Sequence, residues 1–72
     1  MKKIKKIKIK INGKFLIINE NLSLSIFIKE LKIPLKKVAI ELNQEIIDKN
    51  NLKTIKLKNN DKIEIVHFIG GG

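Results

Sequence analysis

Near its start the chain alternates isoleucine with lysine: Ile7, Ile9 and Ile11 are separated by Lys8 and Lys10. This is the period of two that a half-buried β-strand requires. Asn12-Gly13 follows, a dipeptide that favours a two-residue type I′ turn because both central positions need positive φ. The return strand is predicted over Lys14 to Ile18, ended by the polar run Asn19-Glu20-Asn21. Ile4 is out of phase with Ile7, so Met1–Lys6 reads as a basic N-terminal extension, frayed or irregular.

The period then changes. Ser23 has a hydroxyl suited to accept an orphan N–H at a helix start. After it Leu24, Phe27, Ile28 and Leu31 fall at i, i+3, i+4 and i+7, the apolar stripe of a short helix. Pro34 disfavours helical geometry at Ile33 and stops the helix before it. Lys37 to Leu42 reads as a third strand with Val38, Ile40 and Leu42 on one side, turned by Asn43-Gln44 into a very short strand from Glu45 to Ile47. Asp48 to Lys53 is polar and irregular around Leu52, and Ile55 and Leu57 lead into the turn Lys58-Asn59-Asn60-Asp61. A last strand, Lys62 to Phe68, precedes the glycines.

One helix covers one face of a four- or five-stranded sheet, so the expected class is α+β in two layers. A helical connection between the hairpin and the later strands lets the first and last strands lie parallel in the middle of a mixed sheet. That arrangement is the β-grasp, expected here as a single domain over residues 1–72, with 69–72 as a flexible tail.

Composition narrows the classes. Seventy-two residues hold one small core, and a chain of that size buries only about 60% of the surface its unfolded form exposes. Cysteine is absent, so disulfides and thiolate metal sites are excluded. No apolar run approaches the roughly 20 residues of a membrane helix. The lysines at 5, 6, 8 and 10 interrupt any signal-peptide core. A cytoplasmic protein without a membrane partner is expected.

The formal charge of +9 raises a nucleic-acid reading. All 16 basic residues are lysine, however, and arginine, the side chain that pairs bidentately with phosphate and guanine, is missing. Abundant lysine, isoleucine and asparagine together are what an AT-rich coding sequence produces. The charge is read as a solvated surface that steers the domain toward acidic partners, and nucleic acid is not the expected partner.

The chemistry sits at the end of the chain. If Ile63 and Ile65 face the helix, then Glu64, Val66 and Phe68 face the open side, where two apolar residues have nothing to cover them. They form either a satellite cluster against a neighbouring loop, Leu52 being one candidate, or a docking patch for a partner. Gly70-Gly71-Gly72 follows directly. Without side chains it fits a channel too narrow for a Cβ. The α-carboxylate of Gly72 is ionised at neutral pH and becomes electrophilic only when one oxygen is turned into a leaving group. Adenylation by ATP does this, opening routes to a thioester, an isopeptide or a thiocarboxylate.

Two stretches resemble one family. Val38-Ala39-Ile40-Glu41-Leu42-Asn43-Gln44-Glu45-Ile46-Ile47 is similar to the V-A-[VI]-x-[LI]-N-[GQ]-x-[IV]-[VI] segment of the ThiS sulfur carriers of thiamine thiazole synthesis. Ile63-Glu64-Ile65-Val66-His67-Phe68-Ile69-Gly70-Gly71-Gly72 resembles their V-E-I-V-H-F-V-G-G-G terminus, and the resemblance runs from Ile7 to Gly72. It implies a protein that is not an enzyme but a co-substrate. A ThiF-type enzyme would adenylate Gly72 using its own ATP and magnesium. A cysteine desulfurase pathway would supply sulfur, and the resulting thiocarboxylate would serve a ThiG-type thiazole synthase. Gly70 and Gly71 would occupy the partner's channel, while Val66, His67, Phe68 and Ile69 would guide the tail into both partners. Three departures lie away from the tail: Leu52 where the family often has tryptophan, Asn60 for a turn glycine, and the lysine-rich Met1–Lys6.

Other readings stand beside this one. A MoaD-like carrier, or one serving tRNA thiolation or cysteine synthesis, would share fold and thiocarboxylate, although MoaD-like chains carry a proline pair before the diglycine. A basic RNA-binding domain would need aromatic stacking platforms, and only Phe15, Phe27 and Phe68 are available. His67 is the only histidine, and its parity aims it at the core side. Alone it makes neither a metal site nor a catalytic pair. With no phosphate-binding glycine loop, the chain is expected to bind no cofactor.

Overall fold

The computed structural model describes residues 5–68. Strands β1 (Lys6–Ile11) and β2 (Lys14–Asn19) form the hairpin, followed by helix α1 (Leu24–Glu30), β3 (Val38–Leu42), β4 (Glu45–Ile46) and β5 (Lys62–His67). The sheet has five strands in the order β2-β1-β5-β3-β4. The first and last strands run parallel at its centre, Lys10 beside Lys62 and Ile11 beside Ile63, and β5 is antiparallel to β3. This is the expected β-grasp.

Turn chemistry sets the register. Asn12 and Gly13 take φ 46° and 83°, so the hairpin closes in two residues with Ile11 opposite Lys14. Asn43 and Gln44 make the second such turn at φ 52° and 72°. Each pairing puts alternate residues of adjacent strands on a common face. Ile9, Ile40, Val38, Ile63 and Ile65 all fall on the helix side and are buried there with Leu24, Phe27 and Ile28 of α1. Leu52 and Leu57, from the long segment after β4, complete this core.

The helix begins where predicted: Ser23 Oγ accepts from the Ile26 amide at 3.1 Å. It ends earlier than its stripe. Leu31 is the C-cap and is 40% exposed, because Lys32 turns the chain away at φ 58°. The Lys32 amide donates to Lys29 O at 3.0 Å and the Ile33 amide to Ile28 O at 3.4 Å. This is a Schellman closure with lysine where glycine is usual.

Several boundaries differ from the sequence reading: β2 runs one residue further, to Asn19, β3 begins at Val38 rather than Lys37, and β5 ends at His67 rather than Phe68. Lys6 belongs to β1, not to an extension: it pairs with Asn19, and its ammonium donates to Asn19 Oδ1 at 2.6 Å. Met1–Ile4 lie outside the described residues. Ile47 is past the end of β4, although its amide still reaches Ile40 O at 2.9 Å. Ile55 and Leu57 lie outside the sheet. Their segment ties to the helix entrance instead, with Leu24 N donating to Ile55 O and Leu57 N to Leu22 O, both at 2.8 Å.

Candidate functional site at the exit of the last strand

β5 carries its two faces to its very end. On the β3 side Val66 pairs with Ala39 and His67 with Val38, and the Phe68 amide donates to Lys37 O at 2.9 Å. The strand is therefore held until its last described residue. Ile63 and Ile65 are buried, while Val66 and Phe68 face the open side at 50% and 53% exposure, as their parity predicts. Leu52 does not cover them; it lies in the core. What reaches Phe68 is Lys49, whose ammonium stands 5.4 Å from the ring centroid and also donates to the Leu35 carbonyl. One lysine thus joins the single 3-10 turns Leu35–Lys37 and Lys49–Asn51 to the strand end. An exposed cation–π contact of this kind contributes about 0.5–1 kcal/mol, and half of the ring remains free.

His67 departs from expectation. It shares the parity of Ile63 and Ile65 but is exposed, because the buried core stops at Ile65 and Val38. Among the described residues no three His, Cys, Asp or Glu side chains gather as a metal site. Ile69, Gly70, Gly71 and Gly72 lie outside the described residues.

Both turn asparagines reach β5, which turn propensity alone does not reveal. Asn43 holds its beginning: the Asn43 amide donates to Lys62 O at 2.8 Å, and Oδ1 accepts from Lys62 N at 2.9 Å. Asn12 holds its far half. The Asn12 amide donates to Ile63 O at 2.9 Å, Oδ1 accepts from Ile65 N at 2.7 Å, and Nδ2 donates to Ile65 O at 3.4 Å. The β1–β5 pairing stops at Ile11 and Ile63, so an amide side chain stands where the next strand residue would be.

The open face extends beyond the residues singled out from sequence. Lys10 lies opposite Phe15 and Lys8 opposite Ile17, placing Phe15 and Ile17 on the same side as Lys8 and Lys10. Both are well exposed, and the Phe15 ring has the ammonium groups of Lys8 and Lys10 at 4.8 and 5.1 Å from its centroid. The Asn12-Gly13 turn implies this register, so the signal was present: a two-residue hairpin forces Phe15 opposite Lys10. Charge is sorted across the face. Lys10 pairs with Lys62 on one side of β5, and Glu41 with Glu64 on the other.

The ThiS family model matches residues 7–72. The chain is 37% identical over 65 residues to a thiazole synthase of Paramagnetospirillum magneticum, a match covering 90% of this chain and 20% of that protein. The chain thus spans about one fifth of that relative's length. It is 51% identical over 37 residues to the sulfur carrier protein ThiS of Bacillus subtilis, covering 51% of this chain and 56% of that one. The crystal structure of the thiamine biosynthesis protein ThiS from Geobacter metallireducens superimposes with a TM-score of 0.81 at 28% identity, covering 92% of this chain and all of that one.

Proposed function

The chain belongs to the ThiS family of sulfur carriers of thiamine biosynthesis, and on that premise we propose that its working group is the α-carboxylate of Gly72. A carboxylate oxygen attacks the α-phosphorus of ATP held by a ThiF-type enzyme. The bond to the β-phosphate breaks, and pyrophosphate leaves. A sulfur nucleophile at the sulfide level then attacks the acyl carbon, and AMP leaves with the oxygen. When the sulfur arrives as a persulfide from a cysteine desulfurase pathway, a thiol supplies the two electrons that break the S–S bond. The thiocarboxylate donates its sulfur to a ThiG-type thiazole synthase. The chain is the carrier, and the catalysts are its partners.

One observation carries this reading: the central strand ends in a half-exposed apolar pair, Val66 and Phe68, directly before Ile69 and the glycines. The sheet holds the chain as far as the Phe68 amide, and the pair would give a partner something to grip. A stretch similar to this chain lies within a longer protein named thiazole synthase, which supports such an enzyme as the acceptor. Ordering each tail residue costs about 1–2 kcal/mol, whereas burying one phenylalanine returns about 1.5–3 kcal/mol. The balance favours moderate affinity, suited to a carrier that visits several enzymes in turn.

The test is intact-mass spectrometry after incubation with ATP, magnesium, a sulfur source and the activating enzyme. A gain of about 16 Da, the oxygen-to-sulfur difference, is expected on a free α-carboxyl. Deleting Gly72 should abolish it with the fold intact. Normal activation of the truncated chain would overturn the proposal.

A further inference from the structure

The two turn asparagines are near-equivalents along one strand, Asn43 at its first residue, Lys62, and Asn12 further on at Ile63 and Ile65. Each opens a two-residue turn at positive φ, Asn12 at 46° and Asn43 at 52°, and each accepts a β5 amide through its side-chain oxygen, from Ile65 at 2.7 Å and from Lys62 at 2.9 Å. They differ in what lies beyond. Past Asn43 is the start of β5. Past Asn12 is its exit toward the tail.

We infer that Asn12 is a positioning residue for the tail, its side-chain amide replacing the missing β1 partner at Ile65 and thereby fixing the direction in which the chain leaves the sheet. This rests on the carrier reading above. The main chain of β5 alternates: Ile63 and Ile65 turn their peptide groups toward β1, and Phe68 toward β3. His67 is therefore the next residue to face the β1 side, and it lies past the turn. Asn12 seals that edge through Ile65, so a partner strand can add alongside β5 only from His67 onward. Without the Asn12 amide, everything after Ile63 is held from the β3 side alone. The Ile65 amide, which is part-buried with Asn12 as its partner, would be left without that acceptor. The strand end would then sample more directions, and only a fraction of molecules would present the tail correctly, weakening apparent affinity by that fraction.

Glycine separates this role from the turn itself, because it keeps positive φ and removes only the side chain. Asn12→Gly and Asn43→Gly are paired variants: same substitution, same turn class, same strand and two side-chain hydrogen bonds lost in each, part-buried at Asn12 and exposed at Asn43. With the activating enzyme and ATP, Asn12→Gly should raise KM for the carrier about 3- to 10-fold, the worth of one such bond, at unchanged kcat. Asn43→Gly should leave both constants alone while still losing some thermal stability. NMR should show Val66–Phe68 amides losing order and exchange protection in Asn12→Gly only. Equal KM shifts in the two variants, or unchanged order at Val66–Phe68 in Asn12→Gly, would overturn the inference. A wild-type chain that is not activated at all would instead sink the carrier reading, and the NMR comparison would still decide the role of Asn12.

Discussion

Lys49 holds its ammonium 5.4 Å from the centre of the Phe68 ring, so this side chain of the open face is braced from the 3-10 turn Lys49–Asn51 rather than from the core. Phe68 is half exposed, and little of the fold depends on it. Phe68→Asp should therefore change the urea midpoint by less than the equivalent of about 1 kcal/mol, the worth of the lost cation–π contact. Binding to the activating enzyme should fall at least tenfold. Loss of folding would show that Phe68 belongs to the core after all.

Phe27 is the reverse case. It is 2% exposed at the centre of the helix–sheet contact, where Phe→Ala costs about 3–5 kcal/mol. A domain of this length has only about 4–11 kcal/mol in total at the usual stability per residue. Phe27→Ala should lower the thermal midpoint by more than about 10 °C by circular dichroism; a sharp transition near the wild-type temperature would contradict the packing described.

At the helix start the bond from the Ile26 amide to Ser23 Oγ, 3.1 Å long, predicts a loss of about 0.5–2 kcal/mol in Ser23→Ala. Ser25→Ala, inside α1, should cost nothing, since alanine is the better helix former. Equal effects of the two would mean that the cap is not what starts the helix.

At the other end, Lys32 adopts φ 58°, a conformation that costs a non-glycine residue roughly 1–2 kcal/mol. Lys32→Gly should raise the thermal midpoint, after the larger unfolded-state entropy of glycine takes back part of the gain. A lowered midpoint would show that the lysine side chain supplies a contact worth more than the strain.

The like-charge pair Lys10–Lys62 and a net charge of +9 oppose folding through repulsion. Raising sodium chloride from about 10 to 200 mM shortens the screening length from roughly 30 Å to below 10 Å. The melting temperature should rise over that range. A fall would mean that attractive pairs dominate.

Much of the fold was legible because several signals agreed. The Asn12-Gly13 turn, the isoleucine alternation and the Ser23 cap each specify local geometry, and all three are compatible with one sheet. The helix end was not legible. Lys32 gives no glycine-like sign of a left-handed residue, so Leu31 was placed on the buried stripe when it caps the helix. His67 failed for a different reason: parity gives the face of a strand but not how far the core extends along it. The long segment after β4 hid its role because nothing in the residues around Ile55 and Leu57 tells that their backbone bonds to the helix entrance. The exposed apolar patch was half visible. Val66 and Phe68 broke their own alternation, but Phe15 and Ile17 needed the hairpin register, and Lys49 came close to Phe68 only through tertiary folding.

The central place of β5 has a mechanical consequence. On the carrier reading, an enzyme drawing on the residues after Phe68 would pull along the strand axis, against ladder bonds to β3 on one flank and the hairpin on the other. Load applied in that direction shears many bonds together instead of peeling them one at a time. On that reading the central strand would resist such a pull better than a strand at the sheet edge.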